Sequence, residues 1–160
     1  MSSPFTITPA TTPSDLASAA TLFRAYATGF GQDLSFQNFS NELATLPGKY
    51  APPAGALLLA KSTSTSEAIG CVAVRPLQPA GVCEMKRLYV SPAGRGTGVG
   101  KALAKVSIEE ARRLGYTLMK LDTLSSMTAP LKLYQGLGFK ETEAYYANPL
   151  DGVVYLELAL

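Results

Sequence analysis

Four glycines fall within the seven residues Gly94 to Gly100, between a strand-like run and a helix-like run. The run before them, Val82–Val90, follows the turn signals Pro79 and Gly81 and reads as a strand. The run after them, about Gly98–Leu114, carries apolar residues at helical spacing, at Val99, Leu103, Val106, Ile108 and Leu114. Gly115 ends it, and Tyr116–Leu121 again reads as a strand. Strand, glycine turn, helix and strand make a β-α-β unit, so its two strands lie parallel in one sheet. That requirement commits the chain to a mixed α/β fold.

The residues before this unit read differently. Phe5–Thr8 is a short, proline-bounded edge strand. A helix follows, capped at Thr12 or Ser14 with Pro13 in its first turn, and Gly29 and Gly31 end it. A second helix is predicted from about Ser35 to Leu46, stopped by Pro47 and Gly48. Ala56–Lys61, Ala68–Leu77 and Val82–Val90 are joined by short polar turns and read as an antiparallel meander. After the unit, a short helix starts near Thr128, with that threonine as its cap and Pro130 in its first turn. It ends at Gly136 or Gly138. Phe139–Tyr145 and Val153–Leu158 are the last two predicted strands. With 160 residues and no linker or repeat, the chain is expected to form one domain over residues 1–160.

Composition narrows the chemistry. There is no histidine, which excludes Ser-His and Cys-His nucleophilic systems and histidine-ligated metals. Proton transfer must use Asp, Glu, Tyr, Lys, Cys or water. The two cysteines, Cys71 and Cys83, form no CxxC pair, so no metal site is expected. One bridge between them is possible, but they read as small hydrophobes of strands. A net charge of +2 gives no support to nucleic-acid binding by bulk charge. The longest apolar stretch, Ala54–Ala60, is too short to span a bilayer, and no targeting signal is evident. A cytoplasmic protein with no membrane partner is expected, with nuclear access left open.

The segment Ser91-Pro92-Ala93-Gly94-Arg95-Gly96-Thr97-Gly98-Val99-Gly100-Lys101 can curl and present several backbone N–H groups at a helix N-terminus, a site suited to phosphate oxygens. It fails the Walker pattern twice: Arg95 stands where the first glycine is needed and Ala102 where Ser or Thr is needed. It fails the dinucleotide GxGxxG spacing as well. What it matches is Arg-x-x-Gly-x-Gly, at Arg95, Gly98 and Gly100.

Together with Lys86-Arg87-Leu88-Tyr89-Val90-Ser91-Pro92 before it and Leu133-Tyr134-Gln135-Gly136-Leu137-Gly138-Phe139 after it, this resembles the GNAT acetyltransferase superfamily. The resemblance covers about residues 82 to 143. It implies the acyl-CoA N-acyltransferase fold, with an antiparallel N-terminal half and a parallel strand pair splayed at the cofactor site. It implies acetyl-CoA as co-substrate, its pyrophosphate on Arg95, Gly96, Thr97, Gly98, Val99, Gly100 and Lys101. Its pantetheine arm would run along Leu88, Tyr89 and Val90, with an N–H near Leu88 polarising the thioester carbonyl. Tyr134 occupies the position of the family's phenolic acid, and Glu84 that of the glutamate some members use as general base. Burial of Glu84 among apolar neighbours is expected to aid that role. Where many members have an asparagine contacting pantetheine, this chain has Met127, with Ser126 as a possible substitute. Tyr145, Tyr146 and Asn148 precede the final hairpin, and Tyr26 and Phe30 end the first helix. Both regions border the acceptor pocket in this fold, so these five are candidate substrate contacts. The implied activity is N-acetylation of a small amine or a peptide amine by direct attack in a ternary complex, by a monomer or homodimer. An acyl-CoA sensor without catalysis and a transferase of another acyl group are the alternatives.

Overall fold

The computed structural model of the chain describes residues 3–31 and 33–160. Among these residues one seven-stranded sheet forms, in the order β1-β2-β3-β4-β5-β7-β6. β1 (Phe5–Pro9), β2 (Ala56–Ser62), β3 (Ala68–Pro76) and β4 (Val82–Val90) pair antiparallel in sequence order. β5 (Leu118–Leu124) then lies parallel to β4, and β7 (Val153–Ala159) and β6 (Lys140–Glu141) close the far edge antiparallel. The β-α-β expectation therefore holds, and so does the antiparallel meander.

Two layers of helix cover the sheet. On one face, α3 (Val99–Arg113) buries Val99, Leu103, Ala104, Ile108 and Ala111 against Leu58, Val72, Val74, Cys83 and Met85. On the other face, α1 (Pro13–Phe30) buries Ala19, Leu22 and Phe23 against Leu57, Leu59, Cys71 and Ala73. α1 begins with a capping box: Thr12 Oγ1 accepts from Asp15 N, and the Asp15 carboxylate accepts from Thr12 N. Gly31 closes it in the left-handed conformation. Among the described residues no helix is long and apolar enough to cross a membrane, and both cysteines are free and buried.

Four local expectations are corrected. The single helix expected over Ser35–Leu46 is a 3-10 turn at Ser35–Gln37 and a short α2 (Phe39–Ala44), separated by Asn38 at φ 57°. A residue at positive φ cannot continue a right-handed helix, and asparagine tolerates that conformation. The strand expected at Tyr116–Leu121 begins later and runs on to Leu124, because β7 pairs with it along its whole length. The cap expected at Thr128 is absent: α4 (Thr128–Gly136) has Met127 at its N-cap, with no side-chain hydrogen bond there. The strand expected over Phe139–Tyr145 shrinks to Lys140–Glu141. Tyr145 and Tyr146 are drawn off the ladder because their hydroxyls bind carboxylates inside the molecule.

Two irregularities shape the functional region. The first is a bulge in β4. Ala73 pairs with Lys86 and Cys71 with Tyr89, so Val72 alone faces both Arg87 and Leu88. Arg87 takes φ 60°, a strained value for a non-glycine residue. The extra residue inverts the strand's alternation. Before it, Cys83 and Met85 pack on the α3 side; after it, Leu88 and Val90 do so, while Tyr89 joins the α1 side. Lys86 and Arg87, adjacent in sequence, therefore both serve the α1–α2 side. The second irregularity is the end of the parallel ladder. β4 and β5 pair only from Val82–Leu118 to Glu84–Lys120. Beyond that rung β5 stays with β7, and a gap opens beside the C-terminal half of β4.

Candidate active site

The glycine segment leaves β4 at Ser91, makes a 3-10 turn at Pro92–Gly94 and enters α3 through Gly98. Gly94 is buried; a Cβ there would meet the Ile69 carbonyl oxygen and Val90 Cγ1, both at 3.0 Å. This close approach presses the loop against the sheet. Gly98 sits at φ 82° as the N-cap of α3, and no side chain caps that helix. The first N–H groups of α3 are thus left facing outward beside an exposed Arg95, an arrangement suited to an anion. A Cβ on Gly96 or Gly98 would have nothing within 4 Å, so the space over the loop is open. The open space and uncapped amides fit the diphosphate of a CoA molecule. Gly96, Thr97 and Lys101 are also exposed, and Thr97 spends its hydroxyl on the Gly94 carbonyl. Val99 is corrected in part: its side chain is core, so only its backbone is available to a ligand.

Ser91 N donates to Ile69 O on β3 at 2.9 Å. Alternation along an antiparallel strand then turns the N–H groups of Leu88 and Val90 the other way, toward the gap beside β5. A cleft of about 440 Å³ lies along this edge, lined by Leu88, Tyr89, Val90, Arg95, Gly100, Met127 and Tyr134. Tyr26 and Phe30, candidate acceptor contacts, line it as well. Their rings stack at 5.7 Å between centroids and form a wall of the cofactor-side cleft. Ser126 is exposed and lines none of these three cavities, whereas Met127 lines both the cleft and the space beside it.

A narrow neck of about 50 Å³ continues from this cleft through the sheet gap. Leu88, Met127, Pro130, Tyr134, Tyr26 and Phe30 belong to both spaces. Asp122 and Thr123 of β5 line only the neck. On the far side Gln37 and Lys86 are shared between the neck and a chamber of about 660 Å³. Glu84, Arg75, Tyr145, Tyr146, Phe36 and Leu77 are among that chamber's walls. The three spaces adjoin in series through shared wall residues, from the glycine loop to the opposite side of the sheet.

Tyr134 is 8% exposed and packs edge-on against Phe139, with centroids 5.8 Å apart. Burial pushes its phenol above the ordinary tyrosine range, with Tyr26 and Asp122 adding to the shift. It therefore stays protonated at neutral pH and is available as a proton donor.

Glu84 is 2% exposed, but its surroundings are polar, contrary to the apolar setting expected. Tyr145 donates its hydroxyl hydrogen to Glu84 Oε2, while Arg75 and Lys86 approach Oε1 at 3.7 and 3.9 Å. The reason is the register: Arg75 is the β3 partner of Glu84, and Lys86 is two residues along on the same face. Burial, and secondly Glu84, keeps the Tyr145 phenol protonated. Asn148 is corrected too. It lines none of these cavities and instead donates Nδ2 to Asp122 Oδ2 at 2.8 Å. Tyr146 donates to the same oxygen. These two residues hold the neck carboxylate from behind.

Gln37, Glu42, Arg75, Lys86 and Asp122 were absent from the expected site. Arg75 and Lys86 carried a signal, as charges inside otherwise apolar strands. Glu42 holds Arg87 through two hydrogen bonds at 2.8 and 3.0 Å. Arg87 also lies over the rings of Tyr26 and Phe39, at 5.4 and 5.0 Å. This cluster pins α2 and the end of α1 over the bulge. Cys71 and Cys83 have no part in the passage, and burial raises both thiols, that of Cys83 to about 12.

Comparison with known proteins agrees with this architecture. A model of the acetyltransferase (GNAT) family matches residues 18–139. An uncharacterized N-acetyltransferase of Schizosaccharomyces pombe is 46% identical over 148 residues, spanning 92% of this chain and 90% of the relative. Another, of Dictyostelium discoideum, is 30% identical over 200 residues, spanning 87% and 92%. Among solved structures, a GNAT-family acetyltransferase from Staphylococcus aureus superposes with a TM-score of 0.79 at 16% identity, over 97% of this chain and 98% of that one. A Salmonella typhimurium structure with its cofactor acetyl-CoA gives 0.71 at 22% identity, over 98% and 94%. The structural likenesses carry the fold alone. The family match over most of the chain carries more: this chain belongs to the GNAT acetyltransferase family and is an acyltransferase.

Proposed function

We propose that the chain transfers an acetyl group from acetyl-CoA to a primary amine, by direct attack within a ternary complex. The observation that carries this reading is the series of adjoining spaces that runs from the glycine loop, past Tyr134, to a separate chamber lined by Glu84. Two substrates entering from opposite sides of the sheet would meet at the neck without an acyl-enzyme.

Acetyl-CoA would supply the activated acetyl group and a good leaving thiolate. The backbone of Arg95 to Gly100 would hold its diphosphate, and the outward N–H groups of Leu88 and Val90 its pantetheine arm. The Leu88 N–H would donate to the carbonyl oxygen as negative charge develops there. Glu84, directly or through water, would take the proton the attacking amine must lose. Tyr134 would protonate the thiolate sulfur as the C–S bond breaks, then regain a proton from solvent. The C–N bond forms, the C–S bond breaks, and one proton moves from amine to thiolate overall.

A sensor that only binds acyl-CoA has no need of a second chamber of 660 Å³ joined to the first by a polar neck. The test is free-thiol release from acetyl-CoA across a panel of amino acids, polyamines, aminoglycosides and peptides. Thermal shifts with acetyl-CoA, ATP and NAD should accompany it. Stabilisation by acetyl-CoA alone with amine-dependent thiol release is expected. Stabilisation without release from any amine would favour the sensor.

A further inference from the structure

The charges around the passage are not equally satisfied. Glu84 accepts from Tyr145, Glu42 is bound twice by Arg87, and Asp122 accepts from Tyr146 and Asn148. Lys86 differs. Its side chain is 9% exposed, and among the described residues its one hydrogen bond goes to a neutral group, Gln37 Oε1, at 3.3 Å. Its nearest carboxylate oxygen, on Glu84, is 3.9 Å away, outside hydrogen-bond reach. An ammonium has three N–H donors, and a buried one left short of partners is costly. Burial indeed pulls the Lys86 amine below the ordinary lysine range.

Its position matters more than its charge alone. Lys86 and Gln37 are the residues shared by the neck and the chamber. An acceptor whose nitrogen enters the neck must set the atoms next to that nitrogen beside Lys86. A plain alkylamine or polyamine would bring a second cation there, which low dielectric penalises. A group of negative charge one or two bonds from the nitrogen would complete the lysine's hydrogen bonds.

We propose that the acceptor is an amine bearing a carboxylate next to its nitrogen, as in a free α-amino acid, and that Lys86 at the junction of neck and chamber holds that carboxylate. This rests on the transferase reading above. The remainder of the acceptor lies in the chamber, where Phe36, Leu77 and Tyr145 offer apolar surface. Glu42, Lys49 and Arg75 share that wall, so the comparison keeps the side chain constant and varies the carboxylate alone.

The test uses matched sets that differ only at the carboxylate: phenylalanine, phenylalaninamide and phenethylamine, with leucine, leucinamide and isopentylamine. Acetylation is read by thiol release. Binding of the matching N-acetyl products in the presence of CoA is read by calorimetry, which needs no turnover. The carboxylate should improve kcat/KM or product affinity by roughly 10-fold or more, the scale of one charge-assisted hydrogen bond. In Lys86→Met and Lys86→Gln that advantage should fall to near unity, with acetyl-CoA affinity kept and folding checked by thermal melting. Equal handling of amine, amide and acid by the wild type overturns the proposal. So does a carboxylate preference that survives in both folded variants, or the absence of any carboxylate advantage in product binding. Brisk acetylation of phenethylamine alone would sink this inference and leave the transferase reading standing. Absence of thiol release from every amine would sink that earlier reading instead.

Discussion

Tyr145 donates its phenolic hydrogen to Glu84 although the two are 61 positions apart in the chain. The contact fastens the segment after β6 to the middle of β4. It also leaves the other Glu84 oxygen to face Arg75 and Lys86. Glu84→Gln keeps the side chain's size and removes its charge. Turnover should fall and the acidic limb of the pH–rate profile should change, with acetyl-CoA affinity unaltered. Full activity with an unchanged profile would make Glu84 a structural residue.

Tyr134→Phe removes one oxygen and keeps the ring against Phe139. Turnover should drop by roughly 10²-fold or more if proton donation limits the rate. Calorimetry should give near wild-type acetyl-CoA affinity. The phenol is raised by burial, so it stays protonated as pH climbs past the ordinary tyrosine value of about 10. Loss of activity below pH 9 in the wild type should therefore persist in Tyr134→Phe. An alkaline limb below pH 9 that disappears in this variant would contradict the raised phenol, not its role as the acid.

Gly98→Val should raise the Michaelis constant for acetyl-CoA strongly. The residue sits at φ 82°, which valine resists, and the added side chain would project into the open space over the loop. Lys101→Ala should be far milder, because Lys101 is exposed and one exposed charge contributes little. Wild-type acetyl-CoA affinity in a folded Gly98→Val protein would remove the loop from the cofactor site.

Asp15 should make stability fall with acid. Its hydrogen bond from Lys61 Nζ, 2.8 Å long, and its backbone partners hold the carboxyl down at about 2. In the unfolded chain it titrates near 4. A lowered folded-state pKa stabilises above the unfolded value, and that contribution fades as pH falls from about 4 toward 2. Asp15→Asn should thus lower Tm at pH 7, with the gap to wild type closing between pH 4 and 2. A gap that does not vary with pH would mean that the charge of the Asp15 carboxylate adds nothing to the fold.

What could be read from the chain depended on how local its cause was. The turn at Gly94–Gly100, the helix ending at Arg113 and the approach to Tyr134 are set by residues close in sequence, and their spacing was legible. The polar setting of Glu84 was not, because Arg75 arrives from a neighbouring strand and Tyr145 from beyond α4. Asn38 broke a helix whose apolar periodicity continued across it. Nor does anything in Lys86-Arg87-Leu88 mark the bulge. Apolar alternation alone would assign Arg87 and Tyr89 to the same face as Met85.

The bulge acts on β4 as a frameshift acts on a message. One surplus residue resets every later position against a two-residue period. Deleting Arg87 would restore strict alternation and leave Leu88, Tyr89 and Val90 on the faces they already occupy. It would remove the second consecutive side chain on the α1–α2 side, and with it the hold on Glu42. Deleting a residue of β4 outside the bulge would instead shift its neighbours to the wrong face. An indel in the Ser62–Ser66 hairpin changes only a solvent-facing turn. Variation in length among relatives should therefore gather at such turns and stop at this strand, where length itself carries the information.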